Sequence, residues 1–213
     1  MMKAGLLALV VVCAGQGALA GSPENCSKAQ SLEAIVALER AKALSVQAAS
    51  RVGNTPEYIR WFGPYDAQRA EQVRGAMKTL VNAIRTGAVT PVCETGLESG
   101  CNEGEFAWVY PGEAYRLRLC PAFFDLPVLT ALSPGARSSE YGTREGTIIH
   151  ELSHFNVIAG TEDHCYSRRD CAEMAAEMPG LAIENADSFQ YFTEDVTWYA
   201  RQPLAGKPAP ARP

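Results

Sequence analysis

Apolar residues recur at helical spacing in SKAQSLEAIVALERAKALSVQAASRV, from Ser27 to Val52. Leu32, Ile35, Val36, Leu38, Leu44 and Val46 mark the expected core face, and Gly53-Asn54 stops the pattern. A second helix is predicted over Ala67–Thr86, with Val73, Met77, Leu80, Val81 and Ile84 on one side. Between the two, PEYIRWFGPYD (Pro56–Asp66) reads as an aromatic-rich connector. From Val89 to Phe124 the period changes, and Gly, Pro and Cys punctuate the short runs FAWVYP and YRLRLC. In the second run Tyr115, Leu117 and Leu119 alternate with Arg116 and Arg118, as in a half-buried strand. A third helix is predicted to start near Ser138 and to carry Ile148 to Phe155. A fourth runs from near Arg169 to the Met178-Pro179-Gly180 break, and a fifth covers Ala182 to Tyr199. Helices, then a small sheet, then helices again predict an α+β fold that is mostly helical. No internal repeat or domain linker divides residues 21–200, and the Pro/Ala-rich tail, residues 201–213, reads as disordered.

The N-terminus changes the picture of where such a domain works. MMKAGLLALVVVCAGQGALAG has one Lys, an apolar run from Leu6 to Cys13 and a small-x-small end at Ala18-Leu19-Ala20. That is the layout of a secretory signal peptide over residues 1–20, with cleavage after Ala20. The run is too short to span a bilayer, and Cys13 lacks the setting of a lipoprotein signal. Removal of Lys3 takes the formal charge from −5 to −6. Phosphates would repel so acidic a chain, so nucleic acid is a poor partner. The six cysteines beyond the signal, Cys26, Cys93, Cys101, Cys120, Cys165 and Cys171, suggest three disulfides in a secreted or periplasmic protein. Zinc binding by cysteine competes with that reading, but no C-x-x-C pair exists.

The candidate chemistry lies in HELSHFNVIAGTED, His150 to Asp163. His150 and His154 are four apart, so on a helix they share a face and can hold one zinc ion. Glu151 then lies beside the metal, placed to accept a proton from water. Ile148, Ile149, Leu152 and Phe155 can seat the helix. A third histidine ligand in the pattern H-E-x-x-H-x-x-G-x-x-H is excluded, because Val157 and Gly160 stand where Gly and His would be required. Glu173 and Glu177 on a following helix remain candidates. So does Asp163, which a turn at Ala159-Gly160 could bring back to the metal.

The stretch HELSHF with GTEDHCY resembles the aspzincins, the deuterolysin and peptidyl-Lys metalloendopeptidase family, whose signature adds G-T-x-D-x-x-Y-G to H-E-x-x-H. Gly160, Thr161, Asp163 and Tyr166 match, and Ser167 replaces the final Gly. PEYIRWFGPY, LCPAFF and NADSFQYFTED are similar to segments of the peptidyl-Lys branch, so the likeness covers nearly all of Cys26–Asp195. The resemblance implies a zincin-like fold with one zinc ion on His150, His154 and Asp163. It also implies Glu151 as general base and Tyr166 as the group that stabilises the oxyanion. It suggests the disulfides Cys26–Cys93 and Cys101–Cys120, which leaves Cys165 for Cys171. In the Lys-specific relatives two acids line the pocket for the residue after the cut. Here those positions carry Asp187 and Gln190, which implies a softened Lys preference. The expected partners are protein or peptide substrates, met by a monomer free of membrane after signal cleavage, with no extended pro-segment. Two other readings stand beside this one. One is an inactive binding relative, and the other a Glu-liganded zinc peptidase acting on cell-wall peptides.

Overall fold

The computed structural model describes residues 21–133 and 142–199. The leader and tail readings fall on residues 1–20 and 201–213, outside the described residues, as does the predicted helix start near Ser138. Helix α1 (Lys28–Arg51) begins at Ser27, whose hydroxyl accepts from the Gln30 amide while the Gln30 side chain accepts from the Ser27 amide. Its core face differs from the expected stripe. Leu32, Val36 and Val46 are 64%, 39% and 53% exposed, whereas Ala34, Ala37, Leu38, Ala41, Ser45 and Ala48 are buried. A face of small side chains lets α1 pack closely on α3 (Ala67–Arg85), α4 (Arg144–His154) and α7 (Ala186–Thr197).

The aromatic connector is a helix, α2 (Pro56–Phe62). Thr55 caps it, Pro56 takes its first turn, and Gly63 ends it at φ 76°. A Cβ at Gly63 would strike the Ala175 carbonyl and Pro179, so the glycine allows α2 to meet α5 (Arg168–Glu177) and α6 (Pro179–Ala182). Tyr58, Trp61 and Phe62 are buried against Phe189, Tyr191 and Phe192 of α7.

The sheet has the order β1-β3-β2. Strand β1 (Thr90–Cys93) runs parallel to β3 (Arg116–Leu119), and β2 (Ala107–Trp108) lies antiparallel at the edge. In β3 Leu117 and Leu119 are buried while Arg116 and Arg118 are partly exposed, the alternation read from sequence. The disulfides are Cys26–Cys93, Cys101–Cys120 and Cys165–Cys171, the three pairs that the resemblance suggests.

All twelve residues of α7 are buried, including Asp187, Glu194 and Asp195. Charges so placed need partners. Arg168 bridges Glu194 and Asp195, and its guanidinium lies 4.6 Å from the Tyr191 ring centre and 5.4 Å from that of Trp61. Glu194 also accepts from the Thr143 hydroxyl at 3.0 Å, and that hydroxyl in turn caps α4. One ion cluster thus ties α2, α4, α5 and α7 together. Arg168→Met would leave two buried carboxylates without their main counter-charge. It should cost about 3–5 kcal/mol in urea unfolding, and adding Glu194→Gln should restore part of that. A loss below about 1 kcal/mol would contradict the role of this cluster.

Candidate active site

Helix α4 is seated by Ile148, Ile149 and Leu152, which are at most 1% exposed. The four-residue spacing turns His150 and His154 to the opposite, cleft side. The chain leaves the helix at Phe155 and reverses at Gly160, where φ is 60° and the amide donates to the Phe155 carbonyl at 3.1 Å. That turn returns Asp163 to the two histidines. His150 Nε2 and His154 Nε2 are 3.2 Å apart, and an Asp163 carboxylate oxygen lies 3.2 Å from the first and 3.5 Å from the second.

The second nitrogen of each ring sets its tautomer. His150 Nδ1–H donates to Asp187 Oδ1 at 2.8 Å, and His154 Nδ1–H donates to the Thr161 carbonyl at 2.7 Å. That leaves both Nε2 atoms facing each other and a carboxylate, free to serve as ligands once His150 gives up its second proton. These residues fit zinc well. Bonds of about 2.0–2.1 Å in a tetrahedral site place ligand atoms roughly 3.3 Å apart. The three observed edges match that spacing. Among the described residues this is the one group of three or more His, Cys, Asp or Glu that converges in this way.

Protonation follows the same geometry. Burial opposes a proton on His150, but the hydrogen bonds to Asp163 and Asp187 outweigh it and hold its pKa well above the ordinary value. Burial, then the neighbouring His150, lowers His154. Burial pushes Glu151 up to about 7, against the pull of His150. Asp163 is lowered: burial works the other way, but the hydrogen bond from His150 prevails. Tyr166 is 68% exposed and hydrogen-bonds the Asp163 carboxylate, while its own carbonyl accepts from the Tyr191 hydroxyl at 2.9 Å.

Asp187 and Gln190, the residues expected at the Lys pocket, also have partners within the protein. Asp187 is 5% exposed and spends Oδ1 on His150. Gln190 is also 5% exposed, packs against Gly142 and Gly146, and reaches Glu194 at 3.4 Å. The two share a helix face, and α7 packs on α4. Glu173 and Glu177 are exposed on α5 and stand outside the converging group, as does His164. Sequence reasoning missed Thr161, whose carbonyl orients His154, and Asn185, whose side chain grips the loop after Asp163. Thr161 stands in the matched signature, which does not reveal this role of its carbonyl, and Asn185 carries no spacing signal.

The cleft in front of His154 and Asp163 is lined by Glu105, Glu151, Glu162, Pro111 and the edge strand residues Ala107 and Trp108. A helix offering H-E-x-x-H, a carboxylate returned by a glycine turn and an edge strand beside both define a zincin-type metallopeptidase domain. The sequence profile of the aspzincins, described as lysine-specific metallo-endopeptidase, matches residues 47–194. The chain belongs to that family. It is 34% identical over 175 residues to an extracellular protease of Aeromonas hydrophila, covering 80% of this chain and 46% of the relative. Identity is 31% to a peptidyl-Lys metalloendopeptidase of Armillaria mellea, covering 68% of this chain and 37% of the relative. The chain therefore spans less than half the length of these two. A solved zinc peptidase from Grifola frondosa matches with a TM-score of 0.68 and 27% identity, over 80% of this chain and 97% of that one.

Asp187→Ala removes the carboxylate that fixes the His150 ring. Zinc affinity, measured by competition with a chromophoric chelator, should fall about 10–100-fold. Unchanged affinity with an altered cleavage preference would return Asp187 to the substrate pocket.

Proposed function

We propose that this chain is an exported zinc-dependent endopeptidase that cuts protein substrates and favours Lys on the primed side of the cut. The observation that carries the reading is the triangle of His150 Nε2, His154 Nε2 and Asp163 with Glu151 beside it. Zinc held by these three ligands would supply Lewis acidity toward a substrate carbonyl and lower the pKa of water next to it.

The chain's own residues do the rest. Asp187 and the Thr161 carbonyl keep both Nε2 lone pairs directed at the ion. Glu151, with an oxygen 4.0 Å from His150 Nε2 and a pKa of about 7, can take a proton near neutral pH and return it to the leaving amine. The Tyr166 hydroxyl, exposed beside Asp163, is placed to donate to the oxyanion that develops on the carbonyl oxygen. Strand β2 has one edge free of β3 and faces the cleft, so an extended substrate can pair with it.

The Lys preference draws on the names of the peptidyl-Lys relatives and on the cleft's charge. Beyond the ligands and the base, Glu105 and Glu162 line it, and their carboxylates attract an ammonium group. Export draws on the leader-like N-terminus, the three disulfides and the extracellular relative. Among the described residues no helix is long and apolar enough to cross a membrane.

Glu151→Gln should retain zinc and lose at least about 10²-fold in turnover of casein. A chelator should abolish wild-type cleavage, and a proteome-derived peptide library should show Lys enriched immediately after the cut. Near-normal turnover by Glu151→Gln would remove the base, and a profile without basic enrichment would remove the specificity.

A further inference from the structure

Asn185 precedes the first residue of α7, where asparagine is among the best caps. An amide oxygen there ordinarily accepts from the second or third helical amide, worth about 1 kcal/mol. Asn185 makes no such bond. Its Oδ1 accepts instead from the backbone amides of His164 at 2.9 Å and Cys165 at 3.2 Å, the two residues after Asp163. Its Nδ2 donates to Ser188 Oγ at 3.2 Å, which fixes which end of the amide faces the loop. The residue before Asp163 is held by the same junction. The Glu162 amide donates to the Glu184 carbonyl at 2.8 Å, and the Ala186 amide donates to the Glu162 carbonyl at 3.1 Å. Asn185 is fully buried, whereas the Asp163 side chain is 33% exposed on a loop that belongs to no strand.

We propose that Asn185 is a positioning residue for the metal centre, holding Asp163 in register with His150 and His154 through the two amides that follow it. The proposal rests on the zinc reading above. The physical argument is one of tolerance. A ligand on a loop must be held to within a few tenths of an ångström, and a loop without regular pairing has no ladder to hold it. Here the α7 N-terminus serves as that ladder on both sides of Asp163, and one side chain supplies both acceptor contacts on the far side. Removal of the amide would leave the His164 and Cys165 amides without that acceptor and let the carboxylate drift from the two nitrogens. Asp187, two residues on, fixes His150, so one turn of α7 sets two of the three ligands.

The test uses the full mature protein and zinc itself, with affinity read by chelator competition and geometry read by the visible absorption of the Co²⁺ form. Asn185→Ala should weaken zinc about 10–100-fold and change the Co²⁺ spectrum. Asn185→Asp keeps an acceptor oxygen and should stay within about threefold of wild type, a rescue that lost packing would not give. Val73→Ala, in the core of α3 and away from the site, controls for general destabilisation and should leave zinc affinity unchanged. Asn185→Ala with wild-type affinity and spectrum would overturn the proposal, as would an equal loss in Asn185→Asp. If Asn185→Ala does not fold, Asn185→Ser, which keeps a helix-capping hydroxyl but is too short to take both loop amides, should weaken zinc about 10–100-fold. No change there overturns the proposal. His154→Ala separates the two claims: zinc retained in that variant would defeat the zinc reading, whereas zinc lost there but kept in Asn185→Ala would defeat this inference alone.

Discussion

Two imidazole nitrogens 3.2 Å apart, with a carboxylate oxygen 3.2 and 3.5 Å away, have the spacing of three ligands around one cation. Much of the fold serves to keep them there. Helix α4 is buried at every position but Arg144 and His150, and its rotation is fixed by Ile148, Ile149 and Leu152. Helix α7 lies against it and presents Asp187 to His150 and Asn185 to the Asp163 loop. The cost of placing carboxylates on a fully buried helix is offset in part by Arg168, which satisfies Glu194 and Asp195 from the start of α5. The same helix that orients the ligands is thus locked by an ion cluster on its other end. The site and the packing of α7 on α4 are one object.

The sequence was legible where one residue type has one physical use. H-E-x-x-H marks the helix and the donors at once, and the positive φ expected of Gly160 is observed at 60°. Helices α3 and α5 begin and end within about one residue of their predicted bounds, since caps and Pro-Gly breaks are local signals. Legibility failed where several partners compete for one residue. In α1 the leucines and valines drew the expected core face, yet the packed face is mostly alanine, because close helix approach favours small side chains. PEYIRWF reads as a connector because Pro and the aromatics break the apolar period, although Thr55-Pro56 is a sound helix start. Strand β1 was missed because TPVC is four residues long and carries a proline. Spacing along α7 does not reveal that Asp187 also faces the metal centre. Only packing against α4 decides it, and there Asp187 meets His150.

The family and the fold both support the proposed peptidase, and the residues that would hold the ion carry the account. Crystallography at the zinc absorption edge tests that point most directly. The account predicts one anomalous peak within about 2.0–2.2 Å of His150 Nε2, His154 Nε2 and an Asp163 oxygen, with Glu151 close by but not bound. A peak ligated by Glu173 or Glu177, or one from which Asp163 has turned away, would contradict it.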